Sequence, residues 1–210
     1  MTEAEWLACT DPYKMLAFLG DKVSDRKQWL TACACCRNIP GFLASDAGRS
    51  CLEVVERFAE GAATEEELVA LHEDDWDMRW YRNWPGSSLG RAITTYHDAH
   101  WDMLPAGATR EERTEAVSRA MAEVTGLVRE LFSNLFRLTT LDPSWLTWHD
   151  GLLVSMARQM YDSRDFTDMP ILADALEEAG CTDQDILGHC RSGREHVRGC
   201  WVVDLVLGKS

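Results

Sequence analysis

The chain has 210 residues, 46% of them apolar and 27% charged, and its 35 acids against 21 bases leave a net charge of −14. That balance is globular rather than disordered, and a chain of this length buries a core without disulfide or metal staples. Its acidity counts against general nucleic-acid binding and against adhesion to anionic lipid.

The opening stretch, MTEAEWLACTDP, carries acids where an export signal carries bases. The longest apolar runs, such as CWVVDLVL, are too short to span a bilayer. A cytoplasmic location is therefore expected, with no membrane partner and with the eight cysteines as reduced thiols.

Helix-start chemistry recurs along the chain. Thr2 with Glu5, Thr64 with Glu67, Thr109 with Glu112 and Thr182 with Asp185 each place a hydroxyl three residues before an acid, the spacing of a capping box. Asp11-Pro12 and Asp142-Pro143 pair an acceptor cap with proline at the first helical position. Between these starts apolar residues recur every three or four positions, as in Val124, Leu127, Val128, Leu131 and Leu135.

In chain order, helices are expected over about 2–8, 12–19, 25–38, 46–60, 65–80, 89–102, 110–133, 143–163, 169–179, 183–190 and 197–207. Gly180 has the place of a helix C-cap. The prediction is an all-α fold, an irregular multi-helix bundle of about ten helices with no sheet, in one domain over 1–210. A subdivision, if present, belongs near 82–108, where proline and glycine interrupt the pattern. The expected core includes Leu30, Cys33, Val54, Val55, Phe58, Leu68, Leu71, Val124, Leu127, Leu131, Leu153, Met156, Leu172, Leu176, Trp201 and Leu205.

Three stretches, MTEAEWLACTDPYKML, DRKQWLTACACCR and MPILADALEEAGC with the later HVRGCWVVDLVLGK, resemble an expanded family of planctomycete proteins without an assigned activity. The resemblance implies a bacterial intracellular protein with many paralogues. It carries no cofactor, partner or site residue. Family members often have FGNPFR where this chain has FSNLFR, from Phe132 to Arg137.

Four groups of residues have chemistry worth weighing. Cys33 and Cys36 have the spacing of half a zinc site, with Cys181, His189, Cys190, His196 and Cys200 as distant partners. The spacings of those partners match no standard zinc module, and burial beside Trp29 and Leu30 is the favoured account of the thiols, with redox chemistry as a further alternative. His97 and His100 share a helix face, and Glu73, Asp74, Asp75 and Asp77 from a neighbouring helix could complete a metal shell. A bundle metal motif, however, has glutamate three residues before its histidine, so exposed polar positions explain the pair more simply.

Arg191 and His196 have the separation of the arginine and histidine in some helical RNA-cleaving domains, where imidazole moves protons and guanidinium steadies phosphate. Arg191, Arg194 and Arg198 also make a basic tip for an anion or an acidic partner, or for acids elsewhere in the chain. Finally Trp76, Trp80 and Trp84 form an aromatic row within a chain of nine tryptophans, suited to core packing or to anchoring a protein partner.

No Walker loop, dinucleotide fingerprint, G-x-S-x-G elbow or H-E-x-x-H sequence is present. The leading expectation is a non-enzymatic interaction module, an adaptor or scaffold that binds another protein and needs no cofactor. A metal-binding helical protein or metal-dependent enzyme, with zinc as the ion, is the alternative. An RNA-cleaving domain is the third.

Overall fold

The computed structural model describes residues 1–39, 42–71, 88–102, 104–136 and 139–209. Among them are twelve α-helices and no strand, so the fold is all-α. None of these helices is long and apolar enough to cross a membrane. The chain divides into two compact units, Met1–Arg129 and Glu130–Ser210. The interrupted stretch at 82–108 is thus internal to the first.

The first unit contains α1 (Glu3–Ala8), α2 (Pro12–Leu19), α3 (Asp25–Arg37), α4 (Asp46–Ala59), α5 (Glu65–Ala70), α6 (Ser88–Asp102) and most of α7 (Arg110–Phe132). Their starts are built as the hydroxyl–acid spacing requires. Thr2 and Glu5, Thr64 and Glu67, and Thr109 and Glu112 exchange side-chain and backbone hydrogen bonds reciprocally. Asp11 accepts from the backbone N–H groups of Tyr13 and Lys14, with Pro12 opening α2.

Helix α3 is central, packed against both α4 and α6. Trp29, Cys33 and Cys36 on α3 meet Cys51, Leu52 and Val55 on α4 and Leu68 on α5 in one apolar cluster. Val54, Phe58 and Leu71, expected in the core, flank it half-buried. A partly exposed arginine pairs there with a buried carboxylate: Arg37 donates through Nε and Nη2 to Glu56 Oε1, at 2.9 and 2.6 Å. One glycine is fixed by proximity, since a Cβ on Gly48 would stand 2.2 Å from the Phe42 carbonyl oxygen.

The second unit contains α8 (Pro143–Thr147), α9 (Leu152–Ser163), α10 (Met169–Glu178), α11 (Gln184–Cys190) and α12 (Trp201–Leu207). Leu153, Met160, Leu172, Leu176, Ile186, Val202 and Val206 form its core, with Met156 and Leu205 half-buried against it. Helix α10 ends as its glycine predicts. Gly180 takes φ 103°, and the Cys181 N–H reaches back to the Leu176 carbonyl at 2.9 Å.

Of the helix expected over 65–80, α5 is the described part, and residues 72–80 lie outside the described residues; three other expected boundaries move. The helix expected over 143–163 is two helices, because His149, Asp150 and Gly151 all take positive φ (46°, 57° and 82°) and turn the chain between α8 and α9. Helix α11 is capped by Asp183 rather than Thr182, its carboxylate accepting from Asp185 N and Ile186 N. The last helix starts at Trp201 instead of 197, because Gly199 at φ 89° breaks the helical path.

Candidate metal centre

The segment from Arg191 to Cys200, which lies between α11 and α12, gives the second unit its chemistry. Gly193 at φ 64° and Gly199 at φ 89° bend it back towards α11. Arg198 anchors it, donating from Nε to the Tyr161 carbonyl at 2.7 Å and from Nη2 to that of Asp162 at 3.2 Å, at the end of α9. Cys200 then precedes α12, its carbonyl accepting from Asp204 N at 2.9 Å.

This path brings His196 and Cys200 to His189 on α11 and to Glu130, the first residue of the unit. One donor atom from each of the four lies within 4.8 Å of the others. Glu130 Oε1 is 2.8 Å from His196 Nδ1, and Oε2 is 3.4 Å from His189 Nε2. Cys200 Sγ is 3.2 Å from His189 Nε2 and 3.9 Å from His196 Nδ1. Tetrahedral zinc, with bonds of about 2.0–2.3 Å, separates its donors by about 3.4 Å, and by about 3.6 Å where one donor is sulfur. The separations of 3.4 and 3.9 Å lie near those values, whereas those of 2.8 and 3.2 Å are hydrogen-bond lengths that an ion would have to widen.

The cluster is nearly dry, with side-chain exposures of 3% for Glu130, 9% for His189 and 4% for His196. Burial alone would raise the Glu130 pKa. Hydrogen bonds donated by His189 and His196 work the other way, and the carboxyl is held at about 2. The Cys200 thiol is pushed well above its ordinary range, first by burial and then by the Glu130 charge. Without a cation beside it, this sulfur keeps its proton and is a poor nucleophile.

A cation reverses that preference, because it makes the thiolate favourable and takes lone pairs from all four groups. The donor set of two imidazoles, a thiolate and a carboxylate suits a transition metal rather than magnesium or calcium. The group could therefore bind a metal, and among the described residues it is the one cluster of three or more such side chains that converges in this way.

The residues singled out from the sequence fare differently. His189, His196 and Cys200 come together, but with Glu130 rather than with Cys33 and Cys36. Those two thiols are buried in the first unit's core, and burial is the main cause raising both well above the ordinary thiol range. His97 and His100 bond within their own helix, through Nδ1, to Asp98 Oδ1 at 3.0 Å and to the Tyr96 carbonyl oxygen at 2.8 Å. Glu73, Asp74, Asp75 and Asp77, their suggested partners, lie outside the described residues, as do Trp76, Trp80 and Trp84.

Arg191 donates to Asp174 and Glu177 on α10, at 2.6 Å each, so part of the basic tip is matched within its own unit. Arg198 stacks on Tyr161 besides holding the end of α9. Arg194 is exposed. Arg191 and His196, the pair considered for RNA cleavage, are thus directed to different partners.

The sequence reading missed Glu130. Its signal was a carboxylate three residues after Leu127 and one before Leu131, at the margin of the α7 apolar stripe. Comparison with protein-family models, curated proteins and solved structures finds no match to this chain.

Proposed function

We propose that this chain is a zinc-binding helical protein, with Glu130, His189, His196 and Cys200 as the ligands. The observation that supports this reading is the convergence of four donors of suitable type, one atom of each within 4.8 Å of the others, within one unit. Four protein donors fill the shell of a tetrahedral ion, an arrangement typical of structural sites. Catalytic zinc keeps a position open for water. The ion then ties the loop between α11 and α12 to the last turn of α7, joining elements distant in sequence.

The test is elemental analysis of protein purified without chelators. About one equivalent of zinc per chain is expected, and less than about a tenth of an equivalent of any transition metal refutes the reading. Cys200→Ser combined with His196→Ala should abolish retention. His97→Ala combined with His100→Ala should leave it intact.

A further inference from the structure

We infer that Trp201 sets the affinity of this site: its indole N–H holds His189 in the tautomer opposite to the one a metal needs, so an ion enters only by breaking that hydrogen bond. The inference rests on the zinc-binding reading and concerns how readily the site fills.

Trp201 Nε1 donates to His189 Nδ1 at 3.0 Å, with the two ring centroids 5.1 Å apart. An indole nitrogen can only donate, so His189 Nδ1 must be the acceptor and carry a lone pair. In a neutral imidazole the proton then sits on Nε2, the nitrogen that faces Glu130 Oε2 and Cys200 Sγ. This arrangement is a consistent hydrogen-bonded state. The Glu130 carboxylate accepts from both histidines, and Trp201 satisfies the far side of one of them.

Coordination through Nε2 requires the lone pair there, which moves the proton of a neutral ring to Nδ1. Two N–H donors would then face each other across 3.0 Å with no acceptor between them. A ligating histidine ordinarily gives its second N–H to a carboxylate, a carbonyl or a water, which fixes the required tautomer and raises basicity. Trp201 does the reverse. It is 4% exposed and wedged among Val202, Val203 and the rest of the second core, so its N–H has no bulk water to turn to. Leaving such a donor unmatched weakens metal binding by about ten- to a hundredfold.

The site therefore exchanges its ion more readily than its closed four-donor shell suggests. Filling it also displaces the first residue of α12, so occupancy is felt in that helix.

The decisive experiment replaces Trp201 with β-(3-benzothienyl)alanine by nonsense suppression, which keeps the shape of indole and removes its N–H. Trp201→Phe serves as a second variant. Zinc affinity is read by competition with a chromophoric chelator, and the Trp201 indole resonance is followed in ¹⁵N–¹H spectra during zinc titration. The expected results are zinc binding about ten- to a hundredfold tighter in the isostere than in wild type, and a displaced indole resonance on loading. A side chain that merely packs would give equal or weaker binding when altered. Equal or weaker affinity in the folded isostere, with the indole resonance unmoved while wild type holds one equivalent of zinc, overturns the inference and leaves the zinc site standing. If wild-type protein takes up no zinc, both fall.

Discussion

Removing the ion should lower the thermal stability of the second unit specifically, by an amount that follows from its size. That unit runs from Glu130 to Ser210, which is 81 residues. At about 2.1 cal/mol/K per residue, its unfolding entropy is roughly 0.17 kcal/mol/K. Free zinc at a hundred times its dissociation constant stabilises the folded state by about 2.7 kcal/mol. Dividing one by the other gives a shift of roughly 15 °C if the unit unfolds on its own, and less if the unfolded chain retains zinc through its histidines and cysteines. The assay is differential scanning calorimetry of chelator-stripped protein, before and after titration with zinc. Amide hydrogen exchange over residues 189–204 then assigns the transition. Protein shown by elemental analysis to be loaded, yet melting within about 2 °C of the stripped form, would refute the idea that the ion holds this unit together.

Other outcomes follow from particular contacts. Glu130 has a folded pKa of about 2 against an ordinary 4.5, so its contribution is present above pH 4.5 and disappears as pH falls towards 2. In metal-free protein, urea unfolding at pH 7 and pH 3 should show wild type losing stability relative to Glu130→Gln, with about 3 kcal/mol as the full range; parallel curves would count against it. Gly48→Ala puts a methyl group 2.2 Å from the Phe42 carbonyl oxygen and should destabilise the first unit by about 1–3 kcal/mol in urea titration, whereas an unchanged midpoint would mean that the turn relaxes freely. A thiol-specific chromogenic reagent should modify Cys9 in native protein but reach Cys33, Cys35, Cys36 and Cys51 only after denaturant is added. Rapid native labelling of that group would show that the α3–α4 packing opens easily.

The architecture was legible wherever a local rule decides the outcome. Hydroxyl–acid spacing located the starts of α1, α5 and α7, and Asp-Pro located those of α2 and α8. Local patterns could not reveal consecutive left-handed residues at His149 and Asp150, since histidine and aspartate enter that region more often than most side chains but still only in a minority of cases. Nor could they show that CWVVDLVL begins its helix only at the tryptophan.

The candidate site was half visible. His189, His196 and Cys200 stood out as potential ligands, but six residues separate the first two and three the next, with no regular helix to translate spacing into direction. The fourth donor lies on another helix, 59 positions before His189. A buried carboxylate at the margin of an apolar stripe also resembles an ordinary solvated glutamate until tertiary packing removes its water. Cys33 and Cys36 drew attention through a familiar spacing, although a helix between hydrophobic neighbours turns that spacing into packing.

The wide separation of the donors along the chain also orders events during synthesis. A ribosome must have made Cys200 before all four donors can meet, so the carboxylate of Glu130 waits for some seventy further residues to be added. Until then the nascent second unit holds an acid and imidazoles without the thiol that completes the set. Its closure is necessarily late; under the zinc reading proposed above, zinc supply at that moment, rather than during growth of the first unit, governs how much chain matures.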